Sequence, residues 1–247
     1  MENRNQTALI TGATSGIGYE LANLFARDGY SLVIIARDSV QLDKVANEFL
    51  ALGAGNVTAI PKDLSKPDVP REVYEFTQNR GIIVDYLIND AGVGEVGMFF
   101  ETDINKEIEI INLNIVALVY LTKLYLREML KRGSGRIMQL ASVASYQPTP
   151  RLTVYAATKA FVLSFTDSLI YELKDTGVTM TALIPGPTDT DFFRKAHAEH
   201  TKVAQSDPQD ADEVAKEGYE GFFRGEHHVV SSAFARTQVA MGAMLPN

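Results

Sequence analysis

Three polar residues near the middle of the chain have the types and spacing needed for acid–base chemistry on an oxygen atom. Tyr155 and Lys159 are four residues apart in the run Tyr-Ala-Ala-Thr-Lys, and Ser142 lies shortly before them. On a helix this separation places both side chains on one face, so a lysine ammonium can lie beside a phenol. A neighbouring cation favours the phenolate of a tyrosine, whose free pKa is about 10. The three residues therefore indicate a tyrosine acid–base site.

A glycine-rich turn opens the sequence. Its glycines follow a short apolar run and precede a helical pattern that begins at Tyr19. Glycines let the backbone approach a pyrophosphate, and the helix N-terminus offers oriented N–H groups. A tight turn without a ligand would also select glycine, but the position at the first βα turn favours dinucleotide binding. The residues expected to contact the cofactor here are Gly12, Thr14, Ser15, Gly16, Ile17 and Gly18.

The residue after the second apolar run is Arg37, where an acidic residue would select NAD(H). This position meets the adenosine ribose in a dinucleotide-binding fold, and an arginine there can pair with a 2′-phosphate. A solvated arginine at a strand end is the ordinary alternative. The sequence predicts that NADP(H) is preferred over NAD(H).

These residues need elements to position them, and the chain supplies short apolar runs alternating with amphipathic helical patterns. The runs that indicate buried strands are 8–10, 32–36, 57–60, 86–88, 136–140 and 180–184. Nearly continuous apolar strands are typical of a parallel sheet covered on both faces. The alternation predicts an α/β fold, a Rossmann-type doubly wound parallel sheet flanked by helices on both faces. We expect one domain over residues 1–247, with a substrate lid at approximately 186–209.

Composition narrows the possible partners and location. The chain has 247 residues, 46% of them hydrophobic, which is enough for one large core. A formal charge of −8 argues against a nucleic-acid partner. The absence of cysteine fits a reducing cytoplasm. We expect no membrane partner, because the N-terminus is polar and no apolar run approaches the roughly 18 residues of a spanning helix.

Several ordered motifs resemble those of the classical short-chain dehydrogenase/reductase family over essentially the whole chain. Residues 11–18 match TGxxxGxG, residues 89–92 resemble NNAG, and Pro185-Gly186 matches the late PG motif. The family's catalytic tetrad is matched by Asn114, Ser142, Tyr155 and Lys159.

Two positions depart from the family pattern. Asp90 stands where the family usually has Asn, which leaves the local backbone interaction of that loop open. The chain also lacks the glycine-rich C-terminal segment of many members, and residues 225–230 run Gly-Glu-His-His-Val-Val. This second departure puts assembly through the C-terminal strand in doubt.

The resemblance implies a role for each tetrad member. Tyr155 would give a proton to a carbonyl oxygen as hydride arrives, or remove it in alcohol oxidation, and Ser142 would hydrogen-bond the same oxygen. Lys159 would bind the nicotinamide ribose and lower the tyrosine pKa, while Asn114 would help hold the lysine through a water. Singly, each residue also has an ordinary structural role; their order and spacing favour catalysis.

The resemblance also implies further cofactor contacts. Asp63 would contact the adenine, and Thr188 would hydrogen-bond the carboxamide, with Thr190 as a close competitor. The other implied contacts are Leu64, Asn89, Ala91, Gly92, Pro185 and Gly186.

The sequence therefore predicts an NADP(H)-dependent oxidoreductase acting on a small-molecule carbonyl or alcohol. The family suggests a homo-oligomer, dimer or tetramer, and apolar positions of the Tyr155 helix could pack a second subunit: Ala160, Leu163 and Leu169. An NADPH-binding redox sensor with the same fold is the main alternative, and an epimerase or dehydratase is a weaker one. We expect no metal site, because the histidine pairs 197/200 and 227/228 lack a third ligand at defined spacing.

Overall fold

The computed structural model describes residues 5–196, 208–232, 235–237 and 239. Its strands are β1 (Thr7–Thr11), β2 (Ser31–Ala36), β3 (Val57–Pro61), β4 (Tyr86–Asn89), β5 (Gly135–Leu140), β6 (Val178–Ile184), β7 (Thr188–Asp189), β8 (Gln209–Asp210) and β9 (His228–Val230). Seven of them form one sheet in the order β3-β2-β1-β4-β5-β6-β9, and every pairing in it is parallel. The predicted doubly wound sheet is confirmed.

Helices cover both faces of this sheet. They are α1 (Gly16–Arg27), α2 (Ser39–Leu52), α3 (Val69–Asn79), α4 (Ile104–Ile111), α5 (Leu118–Arg132), α6 (Thr153–Glu172), α7 (Phe192–Lys195) and α8 (Ala211–Arg224). Side chains alternate along each strand. In β1, Ala8 and Ile10 pack into the core that includes α1, α2 and α8, while Leu9 packs into the core beneath α3 and α5. Both faces are apolar, which is why the strands are nearly continuous apolar runs.

The strand order reverses between β1 and β4. The chain proceeds outward from β1 through β2 to β3, then returns to β4 on the other side of β1. The loops that leave β1 and β4 therefore diverge and leave a crevice at the C-terminal ends of the strands. In open α/β sheets this is where ligands bind.

The seventh strand was not predicted from the sequence. β9 is three residues long and pairs in parallel with β6, with Ala182 opposite His228. Two histidines precede its two valines, so the run has too few apolar residues to indicate a strand by itself. The C-terminal stretch that departs from the family pattern thus adds an edge strand to the sheet.

One helical stretch is longer and more apolar than the sequence analysis expected. Ile104–Arg132 has 29 residues, with a mean hydropathy of 1.4 over its most apolar window, enough to cross a membrane by length and composition alone. It comprises α4, a π-helical turn (Asn112–Ala117) and α5. The stretch packs against α3, α6 and strands of the sheet, which accounts for its apolar face.

Candidate active site

A large cleft lies at the C-terminal edge of the sheet. Its volume is about 320 Å³, and it runs from the turn after β1 to the start of α6. Most of the residues predicted to bind cofactor or substrate line it: Gly12, Thr14, Ser15, Gly16, Ile17, Arg37, Asp63, Leu64, Ala91, Gly92, Ser142, Tyr155, Lys159, Pro185, Gly186 and Thr188. The competitor Thr190 also lines the cleft, so the choice between the two threonines stays a prediction.

The glycine-rich turn has the backbone that phosphate binding needs. Gly12 has φ 77° and Gly16 has φ 60°, values that L side chains rarely adopt. A Cβ at Gly16 would lie 3.0 Å from the Thr190 methyl group, so a larger residue would also crowd the lid. The first N–H groups of α1 begin at Gly16 and have no partners within the helix. The turn therefore fits the pyrophosphate of a dinucleotide.

The residues at the ends of β2 and β3 form the other end of the cleft. Arg37 Nη1 pairs with Glu109 Oε1 at 3.1 Å, and more than half of the arginine side chain is exposed. Lys62, beside it in the cleft wall, pairs with Glu72 at 2.7 Å. Partial burial alone would raise the pKa of Asp63. Hydrogen bonds from the Ser65 hydroxyl and N–H outweigh this effect and hold the pKa of Asp63 below its usual value. Arg37 and Lys62 thus place two cations at this end of the cleft.

Ser142 and α6 are joined by hydrogen bonds at the centre of the cleft. Ser142 follows β5 by two residues and caps a short helical turn; its Oγ accepts the Ala144 N–H at 3.2 Å and interacts with the Tyr155 hydroxyl. Ser145 Oγ donates to the Lys159 carbonyl at 2.8 Å, which fixes α6 against this turn. Tyr155 and Lys159 lie one turn apart on α6, as their spacing predicts. The three residues expected to carry the chemistry are brought together.

The expected effect of Lys159 on the tyrosine differs from what the structure shows. Burial raises the pKa of Tyr155 to about 12, opposed by the Ser142 hydrogen bond and reinforced by the charge of Asp90. Lys159 Nζ donates to the Leu140 carbonyl at 2.6 Å and lies 5.7 Å from the centre of the Tyr155 ring. Burial also lowers the pKa of Lys159 to about 8. Desolvation is the largest influence on the pKa of Tyr155, and the tyrosine is a protonated phenol at neutral pH.

Asn114 is buried behind the cleft in the π-helical turn. Its Oδ1 accepts the Val93 N–H at 3.0 Å, and its Nδ2 donates to the Val93 carbonyl at 3.0 Å and to Thr158 Oγ1 at 3.1 Å. The structure shows no direct contact with Lys159; both approach Gly92, where an added Cβ would lie 3.5 Å from each side chain. Asn114 thus fixes the loop after β4, and the water-mediated role stays a prediction.

Two predicted cofactor contacts also lie outside the cleft lining. Asn89 is buried and donates to Thr122 Oγ1 at 3.1 Å and Gln139 Oε1 at 3.0 Å, so its side chain ties β4 to α5 and β5. Gly18 lies in the first turn of α1, behind the cleft, where its backbone faces Asp90. Both support the cleft wall, and their contact with a cofactor stays a prediction.

The substrate end is closed by the segment after β6. The Phe192 ring lies 4.9 Å from the Tyr155 ring, centre to centre. A Cβ at Gly94 would lie only 2.9 Å from Phe192, so a glycine is needed for this approach. The Val96 N–H bonds the Ala196 carbonyl at 3.0 Å, and Gln209 N bonds the Pro187 carbonyl at 3.0 Å. Residues 197–207 of the predicted lid lie outside the described residues.

The sequence analysis missed Glu109, which pairs with Arg37 across 72 residues of chain. No local signal identifies such a partner. Of the histidines, His197 and His200 lie outside the described residues, and His228 contacts Asp167. Among the residues that the structure describes, no three His, Cys, Asp or Glu side chains cluster as metal ligands.

A doubly wound sheet, a glycine turn at its switch point and a buried Ser, Tyr and Lys group in one cleft define a Rossmann-type oxidoreductase domain. A family model for short chain dehydrogenases matches residues 6–201. The chain belongs to the classical short-chain dehydrogenase/reductase family.

Similar proteins share most of their length with this chain. An 11-beta-hydroxysteroid dehydrogenase A from Sesamum indicum is 32% identical over 244 residues, covering 94% of this chain and 69% of that protein. A short-chain dehydrogenase from Sphingobium yanoikuyae, solved in complex with NADPH, is 32% identical with a TM-score of 0.87, covering 96% of this chain and 93% of its own. A bulky-bulky ketone specific alcohol dehydrogenase from Comamonas testosteroni is 28% identical with a TM-score of 0.81, covering 98% and 95%.

Proposed function

We propose that this protein is an NADP(H)-dependent carbonyl reductase or alcohol dehydrogenase in which Tyr155 is the proton donor and acceptor. The observation that carries the proposal is the convergence of Ser142, Tyr155 and Lys159 on one cleft that also contains the phosphate-binding turn. Their arrangement can bind a carbonyl oxygen from one side while the cofactor lies along the sheet edge.

The residues divide the chemistry between them. A bound nicotinamide supplies the hydride that adds to the carbonyl carbon. Ser142 Oγ hydrogen-bonds the carbonyl oxygen and holds it near the phenol. As charge develops on that oxygen, the Tyr155 hydroxyl transfers its proton to it, which completes the alcohol and leaves a phenolate. Lys159 would bind the ribose hydroxyls and, as an ammonium, stabilise the phenolate formed at that step.

The protonation state of the free site favours the reductive direction. Reduction begins from a phenol and oxidation from a phenolate. Burial raises the pKa of Tyr155 to about 12, so the proton needed for reduction is already in place at neutral pH. Alcohol oxidation would need a higher pH to populate the phenolate.

The adenosine end of the cleft supports NADP(H). Arg37 and Lys62 lie in the wall of the cleft, at the ends of neighbouring strands. Arg37 pairs with Glu109 on an exposed surface, where an ion pair contributes only about 0–1 kcal/mol. A 2′-phosphate, with its larger charge, would compete well for the guanidinium. The similar Sphingobium protein was solved with NADPH.

The substrate class follows from the shape and lining of the cleft. The rim beside Tyr155 is formed by Phe192, Val143, Ala144 and Leu152, with Gln147 and Thr149 as polar groups. Such a lining suits a largely apolar carbonyl compound. Similar proteins are named for hydroxysteroids and bulky ketones. A ketone with substantial apolar surface on one side of its carbonyl fits these observations best.

We further propose a cytoplasmic homo-oligomer, dimer or tetramer, that uses the exposed apolar face of α4 and α6. Of the three positions that the sequence suggested on α6, Leu163 is buried in one core cluster, Leu169 is partly buried against the core beneath α3 and α5, and Ala160 is exposed. The larger exposed side chains on these neighbouring helices are Ile104, Ile108 and Phe161. Burial of such a face by a second copy would remove apolar surface from water.

The test is cofactor oxidation by the purified protein across aldehydes, diketones, bulky aryl ketones and hydroxysteroid-type ketones, with NADPH and NADH in parallel. We expect turnover of at least one bulky ketone, with a lower KM for NADPH than for NADH. Tight NADPH binding without turnover of any carbonyl would contradict the enzyme proposal and favour the redox-sensor alternative. Tighter binding of NADH would contradict the cofactor proposal alone.

A further inference from the structure

Asp90 occupies an unusual position for a carboxylate, directly against the phosphate-binding turn. It follows β4, and the Thr11 hydroxyl accepts its backbone N–H at 3.1 Å. A Cβ at Gly12 would lie 2.9 Å from Asp90 Oδ2, and a Cβ at Gly18 would overlap the same oxygen. The Gly18 N–H hydrogen-bonds the carboxyl group. The side chain thus fills the space that the two glycines leave open, underneath the turn.

The second carboxyl oxygen has no such support. Asp90 Oδ1 is buried, and within the described part of the chain it accepts no hydrogen bond. A buried carboxylate oxygen without a donor is costly, because desolvation penalises the charge. An amide in this position would present one acceptor and one donor, and a neutral carboxylic acid presents the same pair. The surroundings therefore suit the protonated acid better than the carboxylate.

The charged neighbours of Asp90 are few. The turn of residues 12–18 has no ionisable side chain. The titratable groups that interact with Asp90 are both on α6: the Lys159 ammonium, which favours the carboxylate, and the Tyr155 hydroxyl, whose ionisation the carboxylate opposes. Burial is the larger influence and raises the pKa of Asp90 to about 7, against the opposing effects of Lys159 and the Gly18 N–H.

We propose that Asp90 is a positioning residue for the cofactor that works as the neutral acid, so that dinucleotide binding takes up a proton at this side chain. This inference rests on the proposed cofactor binding. The reason is electrostatic: a pyrophosphate bound on the turn brings negative charge close to the carboxyl group and disfavours its ionised form. By linkage, a ligand that favours the protonated form binds more weakly as the pH rises.

The sign and size of the effect follow from this coupling. If the free site titrates near pH 7 and the bound site stays protonated, the Kd for cofactor rises about tenfold from pH 6 to pH 8. Asp90→Asn supplies the donor and acceptor without a charge, so its Kd should change less than about twofold over this range. Lys159, with a pKa of about 8, adds to the pH dependence of Kd only at about pH 8 and above, where it loses its charge.

The experiment is calorimetric titration with NADH, whose lack of a 2′-phosphate removes a competing ionisation, in two buffers of different ionisation enthalpy from pH 6 to pH 8. We expect uptake of up to one proton near pH 7.5 for the native protein, and little for Asp90→Asn. The matched control is Asp103→Asn, a helix N-cap outside the cleft that Asn can also fill, which should keep the native pH dependence.

Thermal melting without cofactor tests the same side chain independently. The native protein loses stability as the pH rises from about 4 to about 7, because the Asp90 carboxyl group ionises at a lower pH in the unfolded chain than in the folded protein. The melting temperature of Asp90→Asn should therefore exceed that of the native protein by more at pH 7.5 than at pH 5. The proposal is overturned if NADH binding takes up no proton, or if Asp90→Asn retains the native pH dependence of Kd. Absence of any dinucleotide binding would overturn the proposed function as well.

Discussion

Tyr155 and Lys159 are buried at the floor of the cleft, and burial shifts the pKa of each side chain in the direction that favours its neutral form. Desolvation raises the pKa of the phenol to about 12 and lowers that of the lysine to about 8. The two shifts disfavour the Tyr155 phenolate and the Lys159 ammonium, the two charged forms that the proposed mechanism uses. In the proposed mechanism, Tyr155 therefore keeps its proton until negative charge develops on the substrate oxygen and draws the proton away.

The pH dependence of the two reaction directions should differ for this reason. If the pKa of Tyr155 also stays well above 8 in the complex with cofactor and alcohol, the phenolate fraction grows tenfold per pH unit, and alcohol oxidation at saturating substrates should accelerate about tenfold per unit from pH 6 to pH 8. Carbonyl reduction, which uses the phenol, should stay within about twofold over the same range. Steady-state kcat in both directions checks this. An oxidation rate independent of pH would show that Tyr155 does not supply the base.

The sequence predicted that these residues come together, but it did not predict their environment. The four-residue spacing of Tyr155 and Lys159 and their order after Ser142 were sufficient to predict the site. The Leu140 carbonyl that holds the lysine belongs to another element, and the contact depends on packing of β5 against α6. Likewise, the burial of Asp90 between two glycines depends on how β1 and β4 pair, which no local pattern encodes.

At the scale of elements, the short helix α7 forms the side of the cleft next to the tyrosine. Phe192 lies against the Tyr155 ring, and its ring also approaches Gly94 on the opposite wall. This helix is held to that wall by the hydrogen bond from Val96 to Ala196. Phe192, Gly94 and the Tyr155 ring form an apolar boundary beside the site proposed for the substrate carbonyl oxygen. Exclusion of water there would strengthen the hydrogen bond from Ser142 to that oxygen.

Phe192→Ala should therefore weaken substrate binding more than chemistry. Removal of an aromatic contact costs roughly 1.5–3 kcal/mol, so KM for an apolar ketone should rise about tenfold or more, with a smaller change in kcat. Phe100→Ala is the matched control, because Phe100 is 79% exposed and outside the cleft lining. Steady-state kinetics on both variants test this role. Equal KM values for Phe192→Ala and the native protein would exclude it.

Element prediction succeeded where apolar runs were long and failed where they were short. All six predicted strands belong to the sheet, and five of them contain at least two buried apolar residues, whereas the edge strand β3 buries only Ile60. β9 has only two valines and depends on β6 for its pairing. The π-helical turn at Asn114 has no marker in the sequence either, because its extra residue is stabilised by side-chain bonds to Val93 and Thr158.

At the scale of the whole molecule, α4 and α6 present an exposed apolar face, on which the proposed oligomer would form. Phe161 is 40% exposed on α6 and stacks on Phe165, and Ile108 is 47% exposed on the adjacent α4. Sequence could not separate this surface from the core, because α6 has apolar residues on nearly all sides. The fold makes that distinction by burying Leu163 and leaving Phe161 outside.

Phe161→Asp should disrupt the proposed oligomer. A charge placed in an apolar interface is disfavoured strongly enough to shift a dimer or tetramer toward the monomer. Light scattering should show the native protein as an oligomer and the variant as a smaller species. Val40→Asp, a substitution at an exposed site on α2, is the control and should leave the mass unchanged. A monomeric native protein would contradict the proposed assembly.

The most direct test of the proposed chemistry follows hydride and proton separately. The native protein is incubated with NADPH deuterated at the transferred position and with the ketone that it reduces fastest, and the alcohol is examined by mass spectrometry. We predict one deuterium on the carbinol carbon, and for Tyr155→Phe a rate lower by about 10²–10⁴-fold with cofactor binding retained. Alcohol without deuterium, or a Tyr155→Phe variant as fast as the native protein, would contradict hydride transfer assisted by Tyr155.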